Sequence, residues 1–223
     1  MNVEALVKQF RTDADDGVEP AVLWETESII GWLNEAVAEA CIRARLLHES
    51  VNPAVCQIAV TAGATHYPLH PSLYEIDYLA FKPTGDTRRS DVTLLSREEL
   101  DRIEPGWRDR TGRPEYAIQS DTALRLAFTP DTTGTLFMEG FRLPLAPLAD
   151  DADQPEINAA HHAQLVHWAL HRAFSVPDSQ KIDPTRAALA ERAFTRYFGI
   201  RPDADLRRAT RQDVPQHNQA FWV

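Results

Sequence analysis

Cysteine is scarce in this chain of 223 residues: it occurs only as Cys41 and Cys56. No CxxC pair is present, which excludes a disulfide framework and the zinc or redox motifs built on that spacing, and fits a reducing compartment. Long apolar runs are missing as well. No stretch approaches the roughly 20 apolar residues that span a bilayer. The opening Met1-Asn2-Val3-Glu4 has no basic region followed by an apolar run, so no secretory signal is read there. The expectation is a soluble protein, cytoplasmic where it is made, with no membrane partner. Reaction motifs are also absent: there is no GxSxG elbow, no GxxxxGK[ST] loop, no GxGxxG fingerprint and no HExxH pair. The reading is therefore a protein that is not an enzyme, with no cofactor, no metal and no catalytic residues.

Positive charge is short too. Lys and Arg number 23 against 33 Asp and Glu, a net charge of −10. The acid excess is uneven: residues 1–51 carry 4 basic and 10 acidic side chains, 52–147 carry 10 and 13, and 148–223 carry 9 and 10. High-affinity binding to a phosphate backbone needs several Lys or Arg contacts, so the chain reads as a poor DNA binder that DNA can pass without sticking.

What remains is ordinary globular material, 43% hydrophobic and 25% charged, long enough to bury a core. Val3, Leu6, Val7 and Phe10 recur at helical spacing and predict a helix over 3–11. A stripe of Ile30, Leu33, Val37, Cys41, Ala44 and Leu47 predicts a second from Thr26 to about His48, stopped by Pro53. Gly31 inside it costs about 1 kcal/mol relative to Ala, which is read as a hint of close packing. Between 54 and 145 the period changes. Strands are expected near 56–61, 67–69, 75–81, 92–95, 115–119, 123–128 and 135–143, with one short helix over 97–103 capped by Ser96 and Glu99. Asp153-Gln154-Pro155-Glu156 then reads as a helix start, with a helix running to Val176. Asp183-Pro184 opens a last helix, with Gly199 at its end.

The predicted fold class is α+β: a small helical bundle formed by N- and C-terminal helices, with an inserted β-rich domain and an extended C-terminal tail. The expected bounds are 1–53 for the first helices, 54–148 for the β-rich domain, 149–200 for the last helices and 201–223 for the arm.

Candidate sites are few. His161, His162, His167 and His171 share one helix, and the last two point the same way. No third ligand accompanies them, so packing, capping or interface roles are expected. Asp150-Asp151-Ala152-Asp153 has Pro155 and His161 where an EF-hand needs Gly and Glu, and reads as a helix cap. Cys41 reads as a core residue. Trp24, Trp32, Trp107 and Trp168 read as core or interface rather than as a ligand cage. The pair Arg88-Arg89 reads as solvated or paired with acids of a neighbouring chain. The tail carries Arg207, Arg208 and Arg211 and ends Phe221-Trp222-Val223. These six are the candidate partner-interface residues, since large aromatics dominate interface energy. The stretch from Pro155 to Val176 is the second candidate.

The run Leu23-Trp24…Ile29-Ile30-Gly31-Trp32-Leu33-Asn34-Glu35-Ala36, with Arg43-Ala44-Arg45-Leu46-Leu47 after it, resembles the opening of tailed-bacteriophage head-to-tail adaptor (connector) proteins. The likeness continues through Cys56-Gln57-Ile58-Ala59-Val60-Thr61-Ala62-Gly63, Pro105-Gly106-Trp107 and Gly140-Phe141-Arg142-Leu143-Pro144-Leu145. It ends with Leu165-Val166-His167-Trp168-Ala169-Leu170 and Phe198-Gly199. It covers about residues 22–200 and is weakest over 1–12 and beyond 200. The resemblance implies a structural virion protein of the head-tail neck, assembled in the host cytoplasm. It implies a homo-oligomeric ring of twelve copies whose partners are the portal protein above and the next tail or nozzle component below. Genomic DNA would pass through the ring without sequence-specific binding. Two rivals stand beside it: a tail or baseplate module whose β-domain recognises a host ligand through Tyr74, Tyr78 and Trp107, and an unfamiliar enzyme built on His161, His167 and Asp153.

Overall fold

The computed structural model describes residues 1–17, 23–177 and 182–202. It divides into two compact units, one formed by Met1–His48 with Arg142–Arg201, the other by the chain between them. The α+β class is as the sequence predicts, with helices toward both ends and a sheet domain inserted between them.

The first unit holds four long helices: α1 (Val3–Ala14), α2 (Thr26–Ala44), α5 (His162–Ser175) and α6 (Pro184–Phe198). Each forms for a local reason. A helix start leaves four N–H groups without intrahelical partners, and in α1 three of these, at Val3, Glu4 and Ala5, find partners before the first i to i−4 bond at Leu6. Asn2 Oδ1 accepts from Ala5 N at 3.1 Å. Val3 N and Glu4 N donate to the carbonyls of Asp153 and Asp151, and Leu6 N to that of Asn2. Asp183 caps α6 by accepting from Thr185 N and Arg186 N, both at 3.0 Å, and Gly199 ends it at φ +88°. α5 lies at the centre, with α1, α2 and α6 all packed on it. Val3, Leu6, Phe10, Ile29, Leu33, Leu165, Ala169, Ala173 and Phe194 build one buried core. The alanines at 169, 173, 187 and 190 let α5 and α6 approach closely.

Three expectations are corrected here. The second helix ends at Ala44, four residues before His48, because Arg45 turns into the left-handed region at φ 51°. Helix α5 starts at His162, after a short 3-10 turn over Ala159–His161, and not at Asp153-Pro155. The acidic groups of that stretch have other work. Asp153 Oδ2 accepts from Ala149 N at 2.8 Å and Asp150 N at 2.9 Å, closing a turn, while Glu156 pairs with Arg142 and takes the Leu145 N–H. Gly31 marks no close packing: it is exposed, and a Cβ built there meets nothing within 4 Å.

The second unit carries two sheets. β1 (His48–Glu49), β9 (Gly134–Arg142), β4 (Leu73–Pro83) and β5 (Ser90–Asp91) lie in that order, with β2 (Gln57–Val60) antiparallel on β9. The other sheet runs β3 (His66–Pro68), β8 (Ala123–Leu126), β7 (Tyr116–Gln119), β6 (Thr93–Leu94), and its β6–β7 pair is parallel. In β8 and β9 inward and outward residues alternate, the period of a half-buried strand. Leu73, Ile76, Leu79, Phe81, Leu124, Leu126, Leu136 and Met138 form the main core of this unit. A separate small core of Leu100, Trp107, Ala127 and Phe128 sits under α4 (Arg97–Ile103), whose Ser96 Oγ accepts from Glu99 N at 3.2 Å as predicted. One short helix, α3 (Pro53–Cys56), was not foreseen. Asn52 caps it and Pro53 opens it, but four residues are too few to carry a helical period.

Candidate interaction surfaces

The six tail residues Arg207, Arg208, Arg211, Phe221, Trp222 and Val223 lie outside the described residues. The candidate surfaces within them are carried by the outer faces of the helices and by one side of the β-rich unit.

Three histidines of the α5 region make structural hydrogen bonds, and His167 is half-buried on α5. His162 is buried, with Nε2 2.9 Å from the Ile157 carbonyl oxygen and Nδ1 2.8 Å from the Met1 amino nitrogen. A carbonyl only accepts, so the contact with Ile157 puts a proton on Nε2, while Nδ1 lies against both the amino nitrogen and, at 3.0 Å, the carbonyl oxygen of Met1. His161 Nδ1 lies 3.1 Å from the Tyr197 hydroxyl, and His171 Nδ1 lies 3.1 Å from the Ala187 carbonyl. These bonds tie α5 to its neighbours. Among the described residues no group of three His, Cys, Asp or Glu could hold a metal ion. Cys41 is buried in the same core. Burial, reinforced by the Glu156 charge and opposed by Arg142, pushes its thiol up to about 12, so it stays protonated and unreactive.

Arg43 secures the end of α6. Its Nε donates to Glu39 at 2.8 Å, and its Nη1 to Thr195 Oγ1 at 2.9 Å and the Gly199 carbonyl at 3.2 Å. Its guanidinium lies over the rings of Trp168 and Phe194, at 5.3 and 5.2 Å. Beyond that clamp the outer face of α6 presents Leu189, 58% exposed, with Arg192 and Arg196 exposed beside it. Neither arginine has an ion-pair partner among the described residues. The outer faces of α1 and α2 present Glu4, Glu25 and Glu27, exposed and equally unpaired among the described residues. Helix α6 thus displays two arginines beside the exposed Glu191, and the starts of α1 and α2 display three glutamates, with Lys8 exposed further along α1.

Of the three aromatics expected to recognise a host ligand, Trp107 is enclosed, whereas Tyr74 and Tyr78 are half-buried. Trp107 is fully buried. Its Nε1 donates to Asp101 at 2.7 Å, and its ring is flanked by the guanidiniums of Arg108 and Arg125 at 4.4 and 4.5 Å. It cannot stack on a sugar. Hydrogen bonds from Arg108 and then Trp107 hold the Asp101 carboxyl below the usual carboxylate range. Tyr78 is bonded to Asp91 at 3.0 Å, which raises its own hydroxyl pKa. Nor do the tryptophans build a cage: Trp24 stacks edge-on against Phe10 and Phe174, and Trp168 packs on Phe194. Arg89 lies 3.6 Å over the Phe137 ring, a partner the sequence reading did not supply.

A family model described as SU10 adaptor protein matches residues 1–217 of this chain. That span takes in the first helix and reaches beyond residue 200, the two stretches where the residue-level likeness is weakest. No curated protein matches the chain.

Proposed function

Because the chain belongs to the SU10 adaptor protein family, a family of phage head-to-tail adaptors, we propose that it forms a homo-oligomeric ring in the virion neck. The ring sits beneath the portal, joins it to the next tail or nozzle component and surrounds the passage of the genome. The protein is a structural adaptor, and what it offers its neighbours is surface. The observation that carries the ring is the match along nearly the whole chain, which makes the helical unit and the inserted sheets parts of one adaptor.

The charge layout supports it. A subunit in a cyclic ring meets its two neighbours through different, complementary faces. Arg192 and Arg196 on α6, and Glu4, Glu25 and Glu27 on α1 and α2, are exposed charges of opposite sign that neighbouring copies can pair. The overall charge of −10 lets DNA slide by without capture. The segment ending Phe221-Trp222-Val223 serves in this reading as the anchor in the portal.

Mixing the protein with the portal protein of the same genome and imaging the product tests this. A stacked ring on the portal is expected, weakened by salt because exposed charge pairs are screened. A protein that remains solitary beside its portal refutes the proposal. Removing the last three residues should weaken portal binding without altering thermal stability, and unchanged affinity would remove the tail's role.

A further inference from the structure

The two sheets of the β-rich unit part between β4 and β6. The ladder of β4 with β5 pairs Ala80 with Asp91 and Phe81 with Ser90, and Val92 N donates to the Leu79 carbonyl at 2.8 Å. One residue on, Thr93 N donates to Glu115 and Leu95 N to Ala117, so the chain has left β4 for β7. Further along β4 the Gln119 side chain makes a bridge, accepting from Ile76 N and donating to the Tyr74 carbonyl, both at 3.0 Å. Between these two closures lies a cleft of about 410 Å³, walled by residues 75–79 on one side and 91–94 on the other.

The charge of this cleft has one sign. Asp77 and Asp91 are exposed along it, Glu75 is half-buried, and no Lys, Arg or His lines it. Asp91 Oδ1 takes the Tyr78 hydroxyl at 3.0 Å, while its other oxygen has no partner among the described residues. Two strand edges that diverge leave room for an extended segment to add main-chain bonds. The carboxylates repel a phosphate chain and attract a guanidinium, whose planar fork matches carboxylate oxygens.

The chain carries a run of matching sign. Residues 206–212, Leu-Arg-Arg-Ala-Thr-Arg-Gln, hold Arg207, Arg208 and Arg211 and no carboxylate. The chain's other adjacent arginine pair, Arg88-Arg89, is on the turn before β5, with Arg89 laid over the Phe137 ring. We propose that the cleft between β4 and β6 is the seat of the 206–212 run, with Asp91 receiving one of its guanidiniums. The inference goes beyond the ring reading and leaves the last three residues to the portal.

A labelled peptide of residues 206–212 tests it, titrated at low salt and followed by anisotropy. The receiving protein is the full chain with Arg207→Gln, Arg208→Gln and Arg211→Gln, so that its own run does not compete. Saturable binding is expected, weakened about tenfold when Asp91→Asn is added, as for loss of a charged hydrogen bond. The asparagine keeps an acceptor for the Tyr78 hydroxyl. Glu98→Gln, at an exposed acid on α4, should leave binding within about twofold. The backbone amide resonances of Tyr78 and Leu94 should shift as peptide is added, a readout that needs no change in the cleft. Absence of saturable binding, equal binding after Asp91→Asn at unchanged circular dichroism, or unmoved Tyr78 and Leu94 signals overturns the proposal. So does binding of hexaarginine without binding of this peptide, which would give the cleft to a different basic segment. No portal is present, so this outcome is separate from that of the portal test.

Discussion

One substitution made at two places, Gly31→Ala and Gly140→Ala, tests how this chain uses its glycines. Both glycines lie in regular structure, neither has a positive φ, and each change adds one methyl group. At position 31, in the middle of α2, the added Cβ meets nothing within 4 Å. The gain is then the helix propensity difference alone, about 1 kcal/mol, or about 4 °C in the melting of the helical unit. At position 140, in β9, the Cβ would overlap the Glu75 carbonyl oxygen and come within 2.9 Å of Ile76 Cα on β4. Both obstacles are backbone, so no side chain can swing aside. The two strands must separate by about 1 Å, which adds the cost of overpacking to that of one or two weakened ladder bonds, about 3 kcal/mol in total. Urea unfolding separates the outcomes by sign: the midpoint rises for Gly31→Ala and falls for Gly140→Ala. Equal midpoints for Gly140→Ala and the unaltered protein would refute the argument from close strand approach, and a destabilised Gly31→Ala would show that α2 packs against something in solution.

Other outcomes follow from the same geometry. Phe194→Ala removes a fully buried ring that supports Arg43, Trp168 and Phe198, and should cost about 4 kcal/mol in denaturant unfolding. The raised Cys41 pKa gives the protein stability that is full below the thiol's ordinary range near 9 and is lost as pH rises toward about 12. Cys41→Ala should flatten that alkaline slope in thermal melts, and a thiol reagent should label Cys41 only on unfolding. Asp153, held below the usual carboxylate range by the Asp150 and Ala149 N–H groups, acts in the opposite direction. Its contribution is present above about pH 4 and is lost as pH falls through its lowered folded value, so Asp153→Asn should reduce the acid-side slope of stability.

The composition, the two hydrophobic periods and the capping residues were enough for the α+β class, the helix near each end and the run of strands between. Those signals are local: a stripe at three- and four-residue steps must be buried whatever it is buried against, and Asp183-Pro184 offers a cap and an early proline to the residues directly after it. They stop being informative where a residue's partner is distant in sequence. Asp153 and Glu156 look like the start of a helix, yet they are taken by a turn at 149–150 and by Arg142, so α5 begins at His162. Trp107 reads as core or interface, with a recognition aromatic as the rival, and packing under α4 decides for the core. The stacking of Arg125 on Trp107 had no signal at all, because the two positions share no period and meet only when β8 and the turn at 107 converge. Propensity and pattern belong to neighbours along the chain, and these determine which elements exist. Which glycine is spacious and which is crowded, and which charge is left unanswered, depends on backbones brought together by folding.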